Sequence, residues 1–529
     1  MQTYDYIIVG AGSAGAALAN RLTASGKHKV LLLEAGRPSH FWSPIPIGFG
    51  KLIENPAANW CYSSEPEEAS AQRRIPVPRG KLLGGSSAIN GMVYVRGQAQ
   101  DYDHWAQLGN RGWSYSDVLP VFKKMESYDG GSDEFRGRDG ILKVTDTKER
   151  GPLYDALIAG AAEAGIKFNP DYNGASQEGV AMTQATICNG RRMSTAYCYL
   201  DPARGRANLE VQTEALTRSL ILDGKRCVGV RYSAGGQERE ARAGREVIVS
   251  AGSINSPQLL ELSGIGRPEV LQKHGIAVRH ALNGVGENLR DHYSPRMKWA
   301  ARVKGVTYND RARGIGLVGQ VFKYALTRGG FMAMPATPIR FYFRTREGLD
   351  SPDCTFACLP FIVGPGRTVA PQRGITVNVN VLRSESIGSI HVKSPDPTQA
   401  PAISFNFLSA AHDRTGTLFG MRKAREVMTT KAMQAILGGE IAPGEPLETD
   451  DALLDWVRRT AETTYHPVGT CKMGQDPMAV VDERLRVRGI GNLRVADASI
   501  MPTLTSGNTN APSIMIGEKA SSMVLEDAG

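Results

Sequence analysis

Glycines at positions 10, 12 and 15 lie between two short apolar runs, residues 6–9 and 30–33, and Glu34 closes the second run. Each glycine has a separate task in a strand-turn-helix-strand unit. Gly10 permits the tight turn, Gly12 lets backbone approach a pyrophosphate, and Gly15 lets helix and strand pack closely. Glu34, 19 residues after Gly15, stands where a carboxylate can accept from ribose hydroxyls. Amides at the start of the helix face the phosphates. The segment reads as a dinucleotide-binding βαβ unit and leaves open which dinucleotide it holds.

At 529 residues, with 41% hydrophobic and 22% charged residues, the chain is sized for a soluble protein of two domains. No window approaches the roughly 18 to 20 apolar residues of a membrane span. The first strand starts at about Tyr4, leaving no room for a targeting segment, so the cytoplasm is the expected location. The seven cysteines (Cys61, Cys188, Cys198, Cys227, Cys354, Cys358 and Cys471) are scattered among apolar neighbours and read as reduced thiols. Cys354 and Cys358 lack a second ligand pair, so neither zinc nor a redox dithiol is expected. The net charge of +9 comes from basic residues interleaved with acids, which argues against nucleic-acid binding.

Short runs buried on both faces recur at 247–250 and 493–496, at the other end of the chain from 6–9 and 30–33. If all four share a sheet, the nucleotide domain is discontinuous and the region from about 303 to 459 is an insertion suited to substrate handling. Within it, residues 375–382 alternate apolar with polar, as a sheet half-exposed on one face would.

Five further segments carry chemistry. Gly84 and Gly85 in the turn before Ser86 and Asn90 allow close backbone approach to a flat or anionic ligand; the same residues read equally as a turn with an N-cap. Residues 247–264 give a strand, a small-residue turn, Ser256 as N-cap, Pro257 at the first helical position and Gly264 as stop. Of nine histidines, only His466 lies in a dense run of Pro, Gly and small residues. Asp497 ends an apolar strand, where open parallel sheets bind ligands, and Asn510 reads as the N-cap of a final helix with Pro512 in its first turn.

Together, Gly10-x-Gly12-x-x-Gly15, GGSSAIN (84–90), AGSINSPQLL (251–260), YHPVGT (465–470) and DASIMP (497–502) resemble the glucose–methanol–choline family of FAD-dependent alcohol oxidoreductases over residues 4 to about 525. The texture is similar to its bacterial choline-dehydrogenase-like and sorbose-dehydrogenase-like members. The resemblance implies an α/β fold: a Rossmann-like FAD-binding domain on a discontinuous chain (1–40, 76–150, 200–300 and 460–529), with 41–75 covering the FAD. An α+β substrate domain (151–199 and 301–459) is then built on an antiparallel sheet. It places Gly10, Gly12, Ser13, Ala14 and Gly15 on the pyrophosphate, and Glu34 with Ala35 at the adenosine ribose. Asn90, Gly91, Met92 and Val93 follow the isoalloxazine edge, and Asp497 with Ala498 the ribityl chain. Trp60, Arg79, Leu83, Gly84, Gly85, Ser86, Thr217, Ala251, Gly252, Pro257, Tyr465, Asn510 and Ala511 complete the expected cofactor contacts. Ile89 precedes Asn90 where some relatives carry the histidine that bonds FAD covalently, so the FAD is expected to be dissociable.

The family pattern also implies His466 and Asn510 as the catalytic pair. Met92, Val93 and Tyr465 are expected to line the substrate pocket from the flavin side, and residues of the 301–459 insertion, such as Phe361 or Phe341, the rest of it. Hydride leaves an alcohol carbon readily only when the hydroxyl proton is going or gone, so the site needs a base, His466, and an amide donor, Asn510. An imidazole of ordinary pKa, near 6.5, suits this without large tuning. A small primary alcohol on a ring or sugar is the expected substrate, O2 or another electron acceptor the second partner, and a monomer or homodimer the expected state. A non-redox hydroxynitrile lyase on the same fold is the alternative.

Overall fold

The computed structural model describes residues 3–364, 368–444, 447 and 449–529. Its first sheet has seven strands drawn from distant parts of the chain. Leu209–Gln212, Val30–Leu33, Thr3–Val9 and Gln237–Val249 run parallel in that order, and Leu493–Val495 pairs with Gln237–Val249 as a fifth parallel strand. Arg226–Ala234 and Ala215–Asp223 extend the sheet as antiparallel strands. The four apolar runs singled out in the sequence thus meet in one sheet, buried on both faces by helices Ser13–Leu22, Gly252–Leu262 and Asn510–Asp527.

Close packing of the first and last helices depends on Gly517, where a Cβ would stand 2.5 Å from the Ala14 carbonyl oxygen. Arg21 and Glu518 lock the pair with a 2.8 Å ion pair, and Tyr199 donates to the same carboxylate.

The second sheet is antiparallel throughout. Its order is Leu437–Ala442, Arg296–Ala301, Gly374–Val381, Cys354–Leu359, Ile339–Phe343 and Gly179–Met182. Its strand Gly179–Met182 comes from the 151–199 segment, and Arg296–Ala301 straddles the 300/301 boundary expected from sequence. Helix Ala411–Met428 packs on its back, with Gly416 and Gly420 set against Val381 and Val379. Each buried Val or Ile there contributes about 1.5–3 kcal/mol.

The alternating strand Gly374–Val381 departs from expectation. Ile375, Val377, Val379 and Val381 face the core, yet the polar face is covered as well: Thr376 and Asn380 are buried and Asn378 is half-buried. Alternation marks a polar face but not what covers it, and here Thr376, Asn378 and Asn380 border an internal cavity.

The helix expected to start at Pro257 begins five residues earlier, at Gly252, with Ala251 as its cap. Pro257 therefore sits inside the helix, where it cannot donate to the carbonyl one turn back. That carbonyl, on Ser253, accepts instead from Thr470 Oγ1 at 2.7 Å. Ser256 is no cap; its hydroxyl donates to Asp497 Oδ2 at 2.5 Å.

Five of the seven cysteines are buried, Cys188 is partly so, Cys61 is exposed, and none is in a disulfide. Among the described residues no helix is long and apolar enough to cross a membrane, and no three His, Cys, Asp or Glu side chains form a metal-holding group.

Candidate active site

A cavity of about 830 Å³ runs between the two sheets, from the Gly10 turn to His466, within the size range of ligand pockets. The sequence-derived residues that border it are Gly10, Gly12, Ser13, Ala14, Glu34, Ala35, Trp60, Arg79, Gly85, Ser86, Asn90, Gly91, Met92, Val93, Thr217, Ala251, Gly252, Tyr465, His466, Asp497, Ala498 and Asn510. Residues 47–51 and Trp42 form another part of the wall.

Gly15, Leu83, Gly84, Pro257 and Ala511 are not in the wall. At Gly15 a Cβ would meet the Gly10 carbonyl oxygen at 1.9 Å, so its task is helix-strand packing. Leu83 and Ala511 are core residues. Gly84 turns the chain at φ 89° and donates its amide to Ala11. Phe361 borders the cavity, whereas Phe341 is fully buried, stacked on Phe356.

The wall suits an extended, anionic, partly flat group. Helices Ser13–Leu22 and Asn510–Asp527 both begin at it without a side-chain cap, leaving amides free for phosphate oxygens. At Gly252 a Cβ would meet nothing within 4 Å, and at Gly12 only the Gly85 Cα at 4.0 Å, so both backbones lie bare to the cavity. Glu34 is buried beside the turn, accepting from Ala11 N (3.0 Å) and Gly36 N (2.8 Å), and burial pushes its carboxyl up to about 7. Arg192, unnoticed in the sequence, braces the Asn90 loop from behind. It donates to Asn90 O (2.6 Å), Asn90 Oδ1 (2.7 Å), Ser87 O and Ser43 O, and burial pulls its guanidinium down to about 9.

At the far end His466 is held on every side. Its backbone N donates to Asp291 Oδ1 at 2.9 Å, a carboxyl that burial pushes up to about 6. Tyr465 precedes it at φ 71°, and Met92 across the cavity has φ 60°; both are non-glycine residues in the left-handed region, strain that persists only when surroundings enforce it. Arg79 Nη2 pins the Tyr465 carbonyl at 2.5 Å.

The ring nitrogens are assigned by their partners. His292 is buried and pulled down to about 4 by that burial, so it is neutral, and its Nε2 is 2.8 Å from the Leu382 carbonyl. A carbonyl only accepts, so the His292 proton sits on Nε2 and its Nδ1 is a lone pair. That lone pair is 3.0 Å from His466 Nδ1. His466 therefore carries its proton on Nδ1, between His292 and the Thr464 hydroxyl (2.9 Å), and turns the Nε2 lone pair to the cavity. Burial, then His292, Arg79 and Arg340, hold His466 well below the ordinary imidazole range. The expectation of an untuned histidine is corrected by this desolvation.

The amide beside His466 Nε2 is that of Asn508, whose Nδ2 is 2.8 Å away and whose Oδ1 is buried without a partner. Asn510 is elsewhere: its Oδ1 accepts from Ser13 Oγ at 2.8 Å. The reason is helix register. Asn510 is the first helical residue, not the cap, so its side chain swings back over the first helix, while Asn508 precedes the helix and reaches the histidine. The near-repeat Asn-Thr-Asn was the available signal for Asn508. The signal for His292 was the Asp-His pair at 291–292.

Family comparisons agree with this architecture. The GMC oxidoreductase N-terminal model matches residues 4–294 and the C-terminal model residues 384–517. The chain belongs to the GMC oxidoreductase family. It is similar to the oxygen-dependent choline dehydrogenase of Brucella anthropi (41% identical, over 98% of this chain and 95% of the relative). That of Photobacterium profundum is 42% identical, over 99% and 93%. Among solved structures it resembles pyridoxine 4-oxidase from Mesorbium loti (29% identical, TM-score 0.89, 98% of each chain). It also resembles Aspergillus oryzae formate oxidase (25% identical, TM-score 0.93, 99% and 98%). As a GMC oxidoreductase the chain is an FAD-dependent enzyme acting on the CH–OH group of alcohols, and the bare helix starts and glycine backbones of the cavity fit that cofactor.

Proposed function

We propose that this GMC oxidoreductase oxidises a small primary alcohol, borne on a ring or sugar-like frame, with His466 as general base and Asn508 as the donor to the substrate oxygen. The observation that carries the reading is the chain Leu382 O, His292, His466, Asn508, which aims one imidazole lone pair into the cavity beside an amide donor. Bound FAD supplies the hydride acceptor. His466 Nε2 takes the hydroxyl proton, while its Nδ1–H stays on His292 and Thr464, so the ring keeps its orientation as its charge changes. The incoming oxygen takes the place of the Asn508 amide on Nε2, and the amide then donates to that oxygen as it gains negative charge. Phe331, Met332, Phe361 and Tyr465 give the pocket its apolar side, and Thr376, Asn378 and Asn380 its polar side. Ile89 at the cavity wall offers no covalent link, which supports dissociable FAD.

A panel of alcohols under nitrogen, read by loss of flavin absorbance, tests the reading. Repeating it with O2 and with an artificial acceptor identifies the electron acceptor. Release of cyanide from a cyanohydrin with no bleaching by any alcohol would establish the lyase instead.

Two outcomes are expected of the pair. Asn508→Ala should raise the barrier to flavin reduction by about 1–3 kcal/mol, whereas Asn510→Ala should leave the limiting rate near wild type and weaken FAD retention. Equal losses from both would remove Asn508 from the role. Because His466 is held neutral far below its usual range, the limiting reduction rate should also show no inflection at about pH 6.5. A step there in a pH series would mean that His466 titrates as a solvated imidazole.

A further inference from the structure

Arginines 96, 136, 192, 340 and 494 are the buried ones among the described residues. Three of them are paired with carboxylates, and the fourth, Arg192, lies outside the cavity wall and donates to oxygens through Nε and Nη1, its Nη2 being left over among the described residues. Arg96 and Arg136 share Glu126, Arg494 holds Glu246 and Asp527, and Arg192 is braced by the oxygens of residues 43, 87 and 90. Arg340 differs. It is 6% exposed and donates only to two neutral hydroxyls, Tyr342 at 2.9 Å and Thr337 at 3.4 Å, leaving Nη2 without a partner among the described residues.

Sheet register places Arg340 at the cavity. Arg340 lies opposite Ala357, Ala357 opposite Asn378, and Asn378 opposite Arg296, so the four occupy one rung on one face. All four border the cavity, and the short Ala357 side chain leaves room between Arg340 and Asn378, whose Oδ1 is itself without a partner. Arg296 is already paired with Glu462 at 2.7 Å. The only carboxylates in the described wall are Glu34 and Asp497, and both are on the first-sheet side. Glu34 accepts from the first-helix turn, and Asp497 from Gly252 N and Ser256 Oγ.

A buried guanidinium without an acid is costly, and it matches a carboxylate as a fork. We infer that the alcohol substrate carries a carboxylate, which Arg340 holds on the second sheet while the hydroxyl faces His466. The inference rests on the proposed alcohol oxidation. It makes Arg340 a specificity-determining residue and sets the pocket against a quaternary ammonium such as choline, for which the described second-sheet wall offers no counter-charge.

Holoenzyme titrated with benzoate, benzamide and benzyltrimethylammonium, followed by flavin difference spectra, tests the charge preference without turnover. Benzoate should bind about tenfold or more tightly than benzamide, and Arg340→Gln should abolish that difference. In turnover, 4-(hydroxymethyl)benzoate should exceed benzyl alcohol in kcat/KM, and Arg340→Gln should abolish that ratio, chiefly by raising KM for the acid. Should that variant fold poorly, Asn378→Asp on the same rung should weaken benzoate and strengthen benzyltrimethylammonium. Benzoate binding no tighter than benzamide, or unchanged by both substitutions, would overturn the inference. Arg340-dependent benzoate binding with no bleaching by any alcohol would instead overturn the alcohol reading and leave the anion site standing.

Discussion

His466→Ala is expected to slow anaerobic flavin reduction by roughly 10² to 10⁴, with FAD content near wild type. The size follows from the absence of a substitute base. His292, the nearest imidazole, has its lone pair spent on His466 and its proton on the Leu382 carbonyl. Asp291 is turned to the backbone amides of His292 and His466 and to the Thr463 hydroxyl. Cofactor retention should survive because His466 is at the opposite end of the cavity from the Gly10 turn. Stopped-flow mixing with a substrate alcohol reads the rate, and an unchanged rate would dismiss His466 as the base.

The second large effect is expected of Gly15→Ala. Its methyl group would stand 1.9 Å from the Gly10 carbonyl oxygen and 3.3 Å from Ser250 Cβ. The first contact is with backbone in a tight turn, so relief requires the first helix to move off the sheet. Overpacking of this kind costs about 1–3 kcal/mol, and here it also displaces the helix start that faces the cavity. The purified variant should carry little flavin per chain and release the remainder at a lower temperature than wild type. Full flavin content with an unchanged release temperature would show that the turn absorbs the methyl group.

Much of the fold was legible because glycine identity encodes backbone constraint directly. Gly10, Gly12 and Gly15 permit few local geometries, and four apolar runs too short for helices identified a sheet assembled from both ends of the chain. What failed was information about neighbours distant in sequence. The polar side of Gly374–Val381 looked like a surface because alternation is identical whether water or a cavity lies beyond it. Pro257 looked like a helix start because the hydroxyl that replaces its missing donor comes from Thr470, more than 200 residues away. The near-repeat Asn-Thr-Asn holds two amides, and two residues decide which side of a helix start a side chain leaves from; where the helix begins, not the repeat, separates Asn508 from Asn510. His292 carried only the Asp-His pair at 291–292 as a local cue; its place is defined by His466, 174 residues later.

The strand Leu493–Val495 and the helix Asn510–Asp527, which complete the first sheet and wall its glycine turn, come from a part of the chain far in sequence from Thr3–Val9 and Ser13–Leu22. Gly517 nests on Ala14, and Glu518 pairs with Arg21 across a separation of 497 residues. Contacts of such separation are slow to form because the intervening loop must close first. Completion of the nucleotide site is therefore expected among the late steps of folding, and flavin should bind only after it.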